Sequence, residues 1–125
     1  MKPTTAPGHT LRDLVAWQKA MDIAEEVYRL TRSFPPEERF GLVIQCRRAA
    51  TSIAANIAEG HGRESRPYFG QFLRIAQGSA VELDTELELS KRLGYLADDA
   101  WEEIHERLDH VIRLIAKLRR AVARE

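Results

Sequence analysis

The chain has 125 residues, 44% hydrophobic and 30% charged. That is the profile of one globular domain with its own core, and it excludes a disordered polymer. Nineteen basic residues balance nineteen acidic ones, which argues against a generic, strongly basic polyanion binder but leaves the arrangement of the charges open. The single cysteine, Cys46, excludes an internal disulfide and a cysteine-based zinc cage.

No apolar run approaches the ~20 residues of a membrane span. No charged-then-apolar leader is visible, and a reducing cytoplasm is the expected setting.

In chain order, residues 1–10 read as a loose tail, with two prolines, a glycine and little to bury. A first helix is predicted over about 13–33. Leu14, Trp17, Met21, Ala24, Tyr28 and Thr31 recur there at steps of three and four. Val15, Ile23, Val27 and Leu30 widen its apolar face beyond one core seam, which suggests contact with another copy. Phe34-Pro35-Pro36 stops this helix.

A second helix is predicted over about 36–60, started by Pro36, Glu37 and Glu38 and ended by Gly60-His61-Gly62. Its apolar positions are Phe40, Val43, Ile44, Ala50, Ile53, Ala54 and Ile57. The third helix, about 65–93, carries the stripe Phe69, Leu73, Ala76, Ala80, Leu83, Leu87 and Ser90, with Gly94 as its stop. The fourth, about 98–123, has Asp98 or Asp99 as a cap. Its three-four repeat of Trp101, Ile104, Leu108, Val111, Ile115, Leu118 and Val122 is unbroken. Four stripes of similar length joined by short connections predict an all-α, antiparallel up-down-up-down four-helix bundle.

That topology sorts the charges. One pole gathers Arg12, His61, Arg63, Arg66, Lys117, Arg119, Arg120 and Arg124; the other gathers Glu86, Glu88, Asp98, Asp99, Glu102 and Glu103. Matching to helix dipoles explains the fourth helix but not Arg63 and Arg66, which precede or open the third. A basic pole for phosphates, or for an acidic partner, is the alternative.

On the second helix a polar row of Gln45, Arg48, Ser52, Asn56 and Glu59 runs beside the apolar stripe, and Arg47 falls where that stripe would continue. A solvated face is one reading. The other is a network fixing register or a subunit interface, with Ser79, Glu82 and Glu86 as its second half and Arg47 or Arg48 paired to a carboxylate.

Catalytic and metal signatures are weak. Glu102 and His105 have the spacing of a bundle metal motif, but no second copy exists. His110 and Glu106 are expected to form a surface pair, and Cys46 to be a buried core thiol. Trp17 and Trp101 are expected to anchor the core. Phosphate loop, dinucleotide fingerprint and nucleophile elbow are all lacking. No catalytic residue, metal, cofactor or small-molecule substrate is therefore predicted, and the chain is expected not to be an enzyme.

Residues 34–63 read FPPEERFGLVIQCRRAATSIAANIAEGHGR, residues 72–87 read FLRIAQGSAVELDTEL, and residues 13–20 read DLVAWQKA. Together these resemble the 23S rRNA intervening-sequence proteins, a bacterial four-helix-bundle family, over roughly residues 11–118. The resemblance implies an up-down-up-down bundle assembled into a ring, typically a homopentamer, with no established biochemical role. A related branch, the accessory proteins of diversity-generating retroelements, partners a reverse transcriptase and binds nucleic acid through basic surface. The family's polar signature falls on Gln45, Arg47, Arg48, Ser52, Asn56, Glu59 and Gly60. Ala54 stands where members often have proline, and the zero net charge departs from the basic accessory proteins.

Overall fold

The computed structural model describes residues 10–124 and has four α-helices: α1 (Val15–Thr31), α2 (Leu42–Gly62), α3 (Arg66–Arg92) and α4 (Asp98–Ala123). Short 3-10 turns at Leu11–Asp13 and Pro36–Glu38 precede α1 and α2. Apart from Thr10, the expected tail lies outside the described residues.

Cross-helix contacts fix the directions. Ser52 meets Ser79, and Gly60 lies against Phe69, so α2 and α3 run antiparallel. Asp84 meets His105 and Gln77 meets Arg119, which makes α3 and α4 antiparallel too. Glu26 lies near Arg107 and Arg29 near Glu103, giving the same relation for α1 and α4. The four directions therefore alternate around an all-α bundle, as the sequence predicts.

Ile53, Ile57, Leu73, Leu83, Leu87, Ile104, Leu108 and Ile115 are fully buried at the centre. The stripe expected on α3 is buried at every position, from Phe69 to Ser90. On α4 the interior positions are buried, while Trp101 and Leu118 pack at the edge of the core.

The first helix departs from expectation. Its buried positions are Ala16, Ala20, Ile23, Ala24, Val27 and Thr31, whereas Met21 and Tyr28 are exposed. Ile23 and Val27 are thus core residues and are not available for contact with another copy. Small side chains let α1 sit close to its neighbours, so the larger Met21 and Tyr28 face outward.

The helix ends also differ in detail. Pro36, Glu37 and Glu38 form a separate 3-10 turn, and Gly41 (φ −109°, ψ −110°) breaks it from α2. Glu38 still serves α2, because its Oε1 accepts from the Leu42 N–H at 3.1 Å. Phe40, expected on the apolar stripe, lies before α2 and is 81% exposed. At the other end α2 runs through Gly60 and His61 to Gly62 instead of stopping there. Glu64, in the left-handed region at φ 54°, makes the turn into α3.

Gly94 does stop α3, at φ +85°. The Tyr95 N–H donates to Ser90 O at 2.9 Å and the Gly94 N–H to Lys91 O at 3.0 Å, the two bonds of a Schellman motif. The α4 N-cap is Ala97, and Asp98 and Asp99 occupy the first turn as dipole-matching acids without capping it.

Cys46 is fully buried, as expected, with its thiol pushed up to about 12 first by burial and then by nearby Glu86, against a lowering hydrogen bond with Ser90. Its sulfur should stay unmodified by a disulfide reagent at pH 8 while the protein is folded, and react once denaturant is added. Rapid labelling of the native protein would contradict this burial.

At Gly60 the first turns of α3 lie tightly against α2. A Cβ there would lie 2.8 Å from Phe72 Cβ and 3.0 Å from Phe69 Cδ1, whereas one at Gly62 would meet nothing within 4 Å. Gly60→Ala should therefore destabilise by roughly 1–2 kcal/mol even after the gain in helix propensity, and Gly62→Ala should be neutral or slightly stabilising. Chemical denaturation of the two variants checks the contrast.

Candidate functional site

The polar row of α2 divides between two seams. Arg47 turns toward α1. Its Nε donates to Thr31 Oγ1 at 2.9 Å, and its guanidinium lies 4.5 Å from the centre of the Tyr28 ring. Thr31 Oγ1 in turn donates to Val27 O at 2.8 Å. Where a carboxylate partner was expected for Arg47 or Arg48, Arg47 meets a hydroxyl and an aromatic face instead, which ties α2 to the end of α1.

The rest of the row faces α3 or solvent. Asn56 Nδ2 donates to Ser52 O at 2.8 Å and to Ser52 Oγ at 2.9 Å, and Ser52 Oγ shares a 2.9 Å hydrogen bond with Ser79 Oγ. These bonds link α2 to α3 through Ser52, Asn56 and Ser79, while Glu82 and Glu86, the other residues expected on the α3 side, take no part in them. Gln45 and Arg48 are exposed above it. Glu59 is held by Arg63 at 2.9 Å, and that guanidinium also lies over the rings of Tyr68 and Phe72.

Glu86, which the sequence places both at the acidic pole and in a network with Ser79 and Glu82, is 9% exposed and not a surface acid. Two turns of α3 follow it before Arg92, so it lies within the helix and not at its end. Its Oε1 has no hydrogen-bond partner among the described residues. Burial, and then the neighbouring Glu82, push its carboxyl up to about 7. With the folded value above the unfolded one, its stabilising contribution is complete below about pH 4.5 and is lost as pH rises toward 7.

The basic residues gather differently from the expected pole. A groove of about 720 Å³ runs between the first turns of α3 and the last turns of α4, and Arg66, Arg74, Arg119 and Arg120 line it. Pro67, Gly70, Gln71 and Ala123 complete most of its walls, and among the described residues no carboxylate lines it. The first turn of α3 holds no acid either, so the N-terminal end of its dipole adds to the positive field. Arg119 is steered by Gln77, whose Oε1 accepts from its Nη1 at 2.5 Å.

Arg12, Arg63, Lys117 and Arg124 do not line this groove. Arg12 lies 5.7 Å from the Trp17 ring, while Lys117 and Arg124 project from α4 into solvent. Arg74 does line it, although the sequence reading missed it because it sits inside a helix, away from any terminus. The signal was present: antiparallel pairing that joins Gln77 to Arg119 also sets Arg74 near Arg120.

The isolated Glu102–His105 spacing has a local explanation. His105 Nδ1 lies 2.7 Å from Asp84 Oδ1, and its ring stacks on Trp101 with centroids 4.8 Å apart. Trp101 is also covered by Lys91, whose Nζ lies 4.0 Å from its ring centre. Among the described residues no group of three His, Cys, Asp or Glu side chains is placed to hold a metal. Among the described residues no helix is long and apolar enough to cross a membrane.

A solved structure from Bacteroides thetaiotaomicron, described as a protein of unknown function from the S23 ribosomal protein family, is similar to this chain at 27% identity. The superposition has a TM-score of 0.78 and covers 85% of this chain and 96% of that one. Among curated proteins none matches. The family model described as 23S rRNA-intervening sequence protein matches residues 12–117, from the start of α1 into the later turns of α4, and the chain belongs to that family.

Proposed function

We propose that this chain is a non-enzymatic, self-assembling accessory protein of a reducing cytoplasm, and that its arginine groove binds the phosphate backbone of RNA or DNA. The observation that carries the reading is the convergence of Arg66, Arg74, Arg119 and Arg120 on one groove with no carboxylate among its described lining. Four guanidiniums beside a helix N-terminus suit phosphate oxygens, and such contacts give affinity without reading sequence.

A neutral subunit binds a polyanion weakly by itself. Assembly into a ring, with five copies as the family resemblance implies, repeats the groove and converts weak contacts into avidity. Zero net charge favours a second reading in which the ring scaffolds a protein partner, such as a nucleic-acid enzyme, and makes no nucleic-acid contact of its own.

Fluorescence anisotropy separates the two readings. Labelled single-stranded DNA, duplex DNA and structured RNA should all bind, with affinity falling steeply as salt rises. Arg74 and Arg120 are exposed, so their replacement should not disturb the fold. Arg74→Gln with Arg120→Gln should weaken all three probes alike and reduce the salt slope by about 0.7–0.9 for each phosphate no longer neutralised. Absence of binding at low salt, or an unchanged slope in the double variant, would sink the groove and leave the protein scaffold.

A further inference from the structure

The four guanidiniums of the groove are not evenly spread along it. Arg66 lies two turns before Arg74 on α3, a separation of ~12 Å at ~1.5 Å rise per residue. The contact between Gln77 and Arg119 sets the register of α3 against α4, and that register brings Arg119 and Arg120 level with Arg74. Three guanidiniums therefore gather at one end of the groove. The fourth stands at the other end, in the first turn of α3.

Nothing described in the groove offsets the charge at the three-arginine end. Arg119 is held by the neutral amide of Gln77, and no carboxylate is among the described lining. An internal phosphodiester offers a single charge, less than three guanidiniums can match. A terminal phosphomonoester carries about −1.5 to −2 at pH 7 and has three strong acceptor oxygens. Its charge and its acceptors suit three arginines together.

The rest of the lining has a different character. Pro67, Gly70, Ala116, Val122 and Ala123 are apolar, and Gln71 is the one uncharged polar side chain among them. At about 720 Å³ the groove is far larger than a bare phosphate needs. It falls within the ~300–1,000 Å³ of small-molecule sites, which are mostly apolar with a few polar anchors. A sugar and base attached to the phosphate would occupy this apolar length, and a later phosphate of the same strand would pass Arg66.

We propose that the groove is a site for a terminal phosphate carried on a nucleoside. Arg74, Arg119 and Arg120 hold the phosphomonoester, and the apolar lining holds the nucleoside. The inference rests on the reading of the groove as a phosphate-binding surface and names the phosphate it takes most tightly. In an assembly, one groove holds the strand end while the grooves of the other copies meet backbone phosphates. A free nucleoside monophosphate presents the same chemistry as a strand end.

The test is fluorescence anisotropy at fixed salt with three internally labelled single-stranded RNAs of one sequence. One carries a 5′-phosphate, one a 3′-phosphate, and one hydroxyls at both ends. A phosphorylated strand should bind about tenfold tighter than the hydroxyl strand, the gain from roughly one added charge-assisted contact. Arg74→Gln with Arg120→Gln should erase that difference while helix content by circular dichroism stays unchanged. Lys117→Gln with Arg124→Gln, outside the groove, should preserve it. Adenosine monophosphate, with adenosine as its control, separates the two sources. Displacement by the monophosphate alone would show that the site accepts free nucleotides, and retention of the phosphorylated strand would show that it requires a strand end. Equal affinity for the three strands, or a preference that survives Arg74→Gln/Arg120→Gln, would overturn the terminal site while leaving backbone binding standing. Binding of none of the strands at low salt would overturn both.

Discussion

The close approach of α2 to α3 is the constraint on which the other features depend. It is possible because α2 presents Ala50, Ala54 and Gly60 to the core side, where larger residues would hold the helices apart. At Gly60 the Phe72 Cβ comes within 2.8 Å of where a side chain would begin. At that spacing Ser52 and Ser79 share a hydrogen bond, and Asn56 braces Ser52. This small polar network sets the register of the pair. The register then determines which residues of α3 face the core, which face α2 and which remain outside.

Fixing α3 in this way also fixes the groove. Helix α4 packs on the opposite flank of α3 and runs antiparallel to it, so the last turn of α4 meets the first turns of α3. Arginines distant in sequence converge there because the two helices are long and nearly equal, 27 and 26 residues. The neutral total charge conceals this local concentration. Elsewhere on the surface, acids and bases neutralise each other within single helices, as Glu59 with Arg63, Glu88 with Arg92 and Asp109 with Arg113 do. Pairs of this kind contribute little stability but remove charge from the long-range field.

Periodicity revealed the four helices, the proline and glycine stops with short connections revealed their alternation, and the α3 stripe was legible residue by residue because its apolar positions keep a regular three-four step. Helix α1 was harder. It has apolar residues on several sides, and the reading favoured Trp17, Met21 and Tyr28 for their size, whereas close packing selected Ala16, Ala20, Ile23 and Val27. The start of α2 was placed early because Pro36-Glu37-Glu38 has the chemistry of a helix start, and that chemistry is satisfied by a single 3-10 turn before Gly41. Of the groove, Arg66, Arg119 and Arg120 were accessible from topology. Arg74 required the register between α3 and α4, which only the packed structure supplies. Glu86 was read both as a member of the acidic pole and as part of an inter-helix network, since a sequence does not reveal how far a carboxyl is drawn beneath its neighbours.

The central claim is that grooves of four arginines act together when copies assemble. The salt dependence of RNA affinity tests it most directly. One groove making four phosphate contacts would give a log–log slope of about −3. The account predicts a slope at least twice as steep, because several grooves contact one RNA at once. A slope of about −3 or shallower would show that the grooves do not act together and would contradict the account.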